Sequence, residues 1–190
     1  KRKILEPSDR YAPIPYDFND KLKETIATAP GTIPALQGWL GKLSQRWSSY
    51  NWDVGNFIDR TGIPLKDVAK PMLDKGDEES ISKAPALMSP FDKNLDINLC
   101  MEIVGKTNNK DILSSIHSQL FSTGVVWGEY GIAEAHEARA RLLERFKNDS
   151  NPRVRKFVVK TTKELMKSAT ASRAEADDEK LQRKIEFENF

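Results

Sequence analysis

Cysteine is nearly absent: Cys100 is the single one among 190 residues. That excludes an internal disulfide and a cysteine-based zinc site, and it fits a reducing, cytoplasmic setting. Set in the apolar run Leu99-Cys100-Met101, its thiol reads as a small buried hydrophobe rather than a nucleophile. Histidine is as scarce, with only His117 and His136. Neither has a histidine or acidic partner at i+3 or i+4, the spacing that brings two ligands to one helix face, so no metal site is expected. No apolar run approaches the ~18 residues of a membrane span, and no secretory leader pattern is visible. A strong charge of one sign is also lacking, because 30 Lys and Arg oppose 28 Asp and Glu for a net +2. No global field therefore favours nucleic acid or membrane, and any electrostatic function must be local. What remains is 38% hydrophobic and 31% charged, a balance that suits a surface-rich helical protein.

Proline and glycine divide the chain. Residues 1–16 carry Pro7, Pro13 and Pro15 behind Lys1-Arg2-Lys3, which blocks helix and predicts an extended linker. The start at Lys1 rather than Met suggests a piece of a larger protein. Residues 17–76 read as an N-terminal helical module. One helix starts at Asp17, a second spans Pro34 to Tyr50 with Leu36, Leu40, Leu43 and Trp47 on one face, a short third starts at Trp52-Asp53-Val54 with Phe57 and Ile58, and a fourth runs from Pro64 to Asp74-Lys75-Gly76 with Leu65, Val68 and Met72 inward. Trp39 lies off the apolar face of the second helix, which makes it a candidate partner-binding aromatic. Residues 77–93, charged and then interrupted by Pro85 and Pro90, read as an irregular connection with room for one helical turn.

Residues 94–190 are more regular. The spacing predicts helices over Leu95 to Val104 and Asp111 to Phe121, the latter capped by Asp111, with Ile112, Ile116 and Leu120 on one face. A second pair is predicted over Glu134 to Lys147, with Ala135, Ala138, Leu142 and Phe146 inward, and from Pro152 to Lys167. In that last helix Val154, Phe157, Val158, Thr161 and Leu165 fall on one face. Pro152 is pre-set for the first helical turn, where its missing N–H costs nothing. The loop Asn148 to Asn151 is short enough to force the two helices antiparallel. No Gly or Pro follows Arg153, so a charged terminal helix is expected, with a break at Ser168 to Ser172.

The run Asp149-Ser150-Asn151-Pro152-Arg153-Val154-Arg155, flanked by helices, resembles the inter-helix turn of HEAT repeats, in which an Asp and a Pro-x-Val-Arg segment join helix to helix. The helix starts repeat at roughly 40 residues, within the range of such repeats. The resemblance implies an all-α chain of antiparallel helix pairs stacked as a short HEAT-like α-solenoid, and association rather than catalysis. The wider segment from Gly124 to Phe187 also resembles C-terminal helical regions of large bacterial proteins, including nucleotide-driven defence proteins.

Apparent catalytic signals fail on inspection. Gly105-Lys106-Thr107 resembles the end of a phosphate-binding loop, but the earlier glycine that motif needs is Cys100 here, and the segment reads as helix where a strand is required. Asn108-Asn109-Lys110-Asp111 serves as a turn. The segment Trp127-Gly128-Glu129-Tyr130-Gly131 reads as a lock between helical pairs, the alternative being display of Glu129 and Tyr130 to a partner. No catalytic residue, metal or cofactor is expected.

The local charge that the composition hides lies in residues 139–167, where ten Lys and Arg face Glu144, Asp149 and Glu164. Lys156, Lys160, Lys163 and Lys167 recur at intervals of 4, 3 and 4, a basic stripe on one helix face, with Arg153 and Arg155 at the turn before it. Such a row is an ordinary solvated face, a surface for an acidic protein, or a track for a phosphate backbone. Glu175, Asp177, Asp178 and Glu179 further on weaken the last. Taken together, the residues predict a non-catalytic protein-interaction scaffold whose partner-binding residues are Arg153, Arg155, Lys156, Lys160, Lys163, Lys167 and Trp39. The partner would be another protein or another domain of the same parent chain, with nucleic acid as the alternative.

Overall fold

The computed structural model describes residues 64–85 and 95–188, side chains to 186, with a few isolated positions before residue 39. The expected linker 1–16, the helices before Pro64 and the candidate Trp39 lie outside the described residues. Those described are all-helical, with six helices and no strand among them: α1 Leu65–Lys75, α2 Glu78–Lys83, α3 Ile97–Lys106, α4 Lys110–Phe121, α5 Gly131–Glu144 and α6 Pro152–Glu188.

Each start and stop has a local cause. Pro64 precedes α1, and Gly76 ends it in the left-handed region at φ 73°, where a Cβ would be strained. Asp77 caps α2 by accepting from the Ser80 N–H at 2.9 Å. Asp96 does the same for α3 through the Leu99 N–H at 3.0 Å. The cap of α4 is Asn109, whose Oδ1 accepts from the N–H groups of Asp111 and Ile112 at 2.8 and 3.3 Å, so the predicted Asp111 cap moves two residues earlier. Asn109 is the residue whose backbone is extended, as a cap requires, while Asp111 already lies within the helix. Helix α2 falls inside the stretch 77–93.

One hydrophobic cluster runs from Val68 of α1 to Leu165 of α6. Six of the ten residues of α3 are buried: Ile97, Leu99, Cys100, Met101, Ile103 and Val104. A helix apolar on so many sides sits in the middle, and α3 packs against α1, α4 and α6. The Cys100 thiol is pushed up to about 12 by burial, in keeping with its expected role as core filler. The predicted faces of α4 (Ile112, Ile116, Leu120) and α6 (Val154, Val158, Thr161, Leu165) are buried, with Phe157 half-buried.

Two expectations are corrected. The buried face of α5 is Ala133, His136, Ala140 and Leu143; of the predicted residues Ala138 is exposed, Leu142 is 49% exposed, and Ala135 and Phe146 are half-buried. The periodicity misled because a histidine is part of the core-facing stripe. The Nε2 of His136 donates to the Phe121 carbonyl at 3.2 Å, and Arg139 Nη1 donates to the carbonyls of Gln119 and Leu120 at 3.1 and 3.2 Å. Side chains from α5 thus satisfy the last carbonyls of α4, which no glycine closes. Second, α6 does not break at Ser168 to Ser172 but continues for 37 residues, about 55 Å. Alanines supply strong helix propensity there, and Thr170 Oγ1 donates back to the Met166 carbonyl at 3.0 Å. Arg173 locks the segment to α5 through a two-pronged pair with Glu137, at 2.8 and 3.0 Å. That guanidinium, through its hydrogen bonds, holds the Glu137 carboxyl below its usual range.

Candidate partner-binding groove

The turn at residues 149–152 sets the angle at which α6 enters. Asp149 Oδ1 accepts from the Asn151 N–H at 2.8 Å, and Asn151 Oδ1 accepts from the Arg153 N–H at 3.0 Å, capping α6. Asn151 Nδ2 reaches across to donate to the Gly105 carbonyl at 3.0 Å, tying the start of α6 to the end of α3. A Cβ on Gly105 would stand 2.9 Å from that nitrogen, so the glycine permits the approach. The supposed phosphate-loop fragment is structural here: Gly105 makes room, and buried Thr107 donates to Glu78 Oε1 at 3.0 Å.

With α3 and α6 tied in this way, a groove of about 830 Å³ opens between α4 and the first half of α6. Val104, Leu113, Phe121 and Phe157 line it with apolar surface, and Lys110, Arg153, Lys156 and Lys160 line it with cations. At one end His117 Nε2 meets Glu164 Oε2 at 2.8 Å, joining α4 to α6. The His117 ring stacks on Phe121 with centroids 4.4 Å apart. Glu164 also lies 3.9 Å from Lys160, a pair too long and exposed to hold the lysine fast. An apolar floor with a cationic edge suits a segment that carries both apolar and acidic side chains.

Of the sequence-predicted residues, Arg153, Lys156 and Lys160 meet at this groove. Lys163 and Lys167 continue the same exposed face further along α6. Arg155 turns back instead, donating through Nη1 to the carbonyls of Asp149 and Ser150 at 2.7 and 2.9 Å, so it braces the turn. Arg139 is likewise engaged with α4, and the burial that accompanies this lowers its pKa.

Sequence reasoning missed the contribution of α4. Lys110, Leu113, Ser114, His117 and Phe121 all line the groove, beside the core face that periodicity did identify. Lys110, Ser114, His117 and Phe121 repeat at 4, 3 and 4, a signal available in the sequence. Only packing shows that this second stripe faces α6. Among the described residues no three His, Cys, Asp or Glu side chains gather as metal ligands.

The segment before α5 serves as a lock. Tyr130 donates to Asp177 Oδ1 at 2.5 Å, and Glu129 pairs with Lys180 and Arg183 at 3.5 and 3.6 Å. Trp127, beside them, is 86% exposed, the most exposed large apolar side chain described. Among the described residues no helix is long and apolar enough to cross a membrane. No protein-family profile, curated protein or solved structure matches this chain.

Proposed function

We propose that this protein is a non-catalytic interaction module, its helices stacked as HEAT-like antiparallel pairs, that captures an acidic, partly apolar segment of another protein between α4 and α6. The observation that carries this reading is the groove itself, apolar along Leu113, Phe121 and Phe157 and cationic along Lys110, Arg153, Lys156 and Lys160. Apolar contact supplies affinity, and the cations supply register and selectivity for carboxylates. Nucleic acid fits less well. Glu164 stands among the groove cations, and beyond Lys167 the same exposed helix turns acidic at Glu175, Asp178 and Glu179, which would repel a phosphate backbone laid along it.

The test is fluorescence anisotropy with two labelled probes at equal ionic strength. One is a helical peptide with Leu and Phe at i, i+4 flanked by Asp and Glu; the other is a single-stranded or double-stranded oligonucleotide. The peptide binds, and Lys156→Glu with Lys160→Glu weakens it by about tenfold or more, while Lys163→Glu with Lys167→Glu, outside the groove, has a smaller effect. Preferential binding of the oligonucleotide, lost equally in both variants and steeply with salt, would replace this reading with the nucleic-acid one. No binding of either probe would remove both.

A further inference from the structure

The exposed side of α6 has a pattern that runs its whole length. Lys156, Lys160, Lys163, Lys167, Ala171, Ala174, Asp178, Leu181 and Ile185 are all exposed and follow one another at intervals of three and four, so they form a single seam. Its first half is lysine and its middle is small. Its last part is acidic and apolar, with Glu175, Glu179 and Glu186 at its flank and Leu181 and Ile185 at 57% and 51% exposure. Among the described side chains Ala176 is the last buried one of the helix, and 177–186 are exposed throughout. Beyond Ala176, α6 therefore projects as an exposed overhang, and among the described residues Tyr130 and Glu129 reach it along one side.

This overhang has the chemistry the groove selects, an i, i+4 apolar pair beside carboxylates. It cannot reach its own groove. Lys160 and Leu181 lie on one continuous helix, so 21 residues of rise hold them about 30 Å apart. Only a second copy can bring the two surfaces together.

We infer that two copies of this chain associate through antiparallel α6 helices, each placing its 177–188 overhang against the α4/α6 groove of the other. The inference rests on the groove being a binding surface for acidic, apolar segments, and it names the occupant. With the two-fold axis between Thr170 and Ala171, Lys163 of one copy stands opposite Asp178 of the second, and Lys167 stands opposite Ala174 and beside Glu175. Lys160 and Lys156 stand opposite Leu181 and Ile185. Their aliphatic stems lie over those side chains while the ammonium groups reach Glu179 and Glu186. The axis itself crosses Thr170 and Ala171, small enough for the helices to approach closely. A parallel arrangement would set lysine against lysine and acid against acid, so the charge pattern selects the antiparallel one. The contact is isologous and closes at two copies.

Sedimentation equilibrium of the full chain at about 50 mM and about 500 mM salt tests this directly. The expected species at low salt has twice the 21.5 kDa chain mass and weakens as salt rises. Changing Lys156, Lys160 and Lys163 to Glu raises the dimer dissociation constant by at least about tenfold. Changing Glu175, Asp178 and Glu179 to Lys does the same, and circular dichroism confirms that both variants stay folded. Mixing the two variants restores a dimer, because each now complements the other. Independently, Ala171→Cys cross-links to itself on oxidation whereas Lys160→Cys does not, since its counterpart is Leu181. A wild-type chain that is monomeric throughout, or reversed variants that fail to pair on mixing, would overturn the inference. The acidic peptide of the preceding test, applied to the Glu175, Asp178 and Glu179 variant with its groove intact, separates the two ideas. If it binds while wild type is monomeric, the groove stands and the dimer falls; if it does not bind either, both fall.

Discussion

Asn151 is the side chain on which the entry of α6 depends most, and replacing it by Ala makes a prediction with two separable parts. Its Oδ1 caps α6 at the Arg153 N–H, and loss of such a cap costs roughly 0.5–2 kcal/mol. Its Nδ2 holds the Gly105 carbonyl, a half-buried acceptor whose hydrogen bond has a net worth of about 1 kcal/mol. Asn151→Ala should therefore destabilise the chain by about 2 kcal/mol, and Asn151→Asp, which keeps the cap and loses the donor, by about 1. Gly105 supplies an internal control. A Cβ there would crowd Nδ2 at 2.9 Å, so in the wild-type chain Gly105→Ala displaces the asparagine and gains little. In the Asn151→Ala background the obstacle is gone, and the same change stabilises by up to about 1 kcal/mol through helix propensity. Urea unfolding followed at 222 nm measures all four corners of this cycle, with the slope m unchanged. Refutation would be an Asn151→Ala chain within about 0.3 kcal/mol of wild type, or a Gly105→Ala effect equal in both backgrounds.

Thr161 is buried against the groove floor, and its Oγ1 has no hydrogen-bond partner among the described residues. Thr161→Val keeps the shape and removes an unsatisfied hydroxyl, so the urea midpoint should rise by the equivalent of about 1 kcal/mol; a comparable fall would show that the hydroxyl has a partner. Asp77 has its carboxyl lowered to about 2 from an ordinary 3.8, chiefly by the Ser80 N–H it accepts. Because the folded value is the lower one, its stabilising contribution is present above the ordinary value and is lost as pH falls toward 2. The stability difference between wild type and Asp77→Ala, measured across that range, should therefore shrink on acidification, and a difference that grows would contradict the assigned cap.

The sequence made a good part of this architecture legible. The apolar face of α4 follows from a 3.6-residue period with no polar interruption and that of α6 from the same period interrupted by Thr161, and Pro152 and Gly76 mark ends through backbone restrictions that act locally. The face of α5 was not legible, because His136 occupies a core-facing position that a hydrophobicity pattern scores as polar. What makes it acceptable there is the Phe121 carbonyl, 15 residues away. The continuity of α6 was misread for a similar reason: Ser, Thr and Ala between 168 and 172 are ambiguous by propensity, and the decisive lock is Arg173 on Glu137, 36 residues earlier. Half of the candidate groove was visible as a lysine stripe. The other half lies on α4, and nothing in its spacing says which neighbour it faces.

Residue order by itself determined that the described residues are helical, where most of their helices begin, that Cys100 belongs to the core, and that positive charge concentrates on one side of α6. These follow from short-range chemistry: the period of apolar residues, caps, and the restrictions of proline and glycine. Only the tertiary structure decided that Arg139 and Arg155 spend their charge on backbone carbonyls while Arg153, Lys156 and Lys160 border a groove. Only it showed that His117 meets Glu164, and that residues 177–186 of α6 are exposed. Apart from the brace of Arg155 on its own turn, 5 and 6 residues back, those outcomes depend on which helix packs beside which, a property of contacts such as those 19, 20 and 47 residues apart that no local pattern carries.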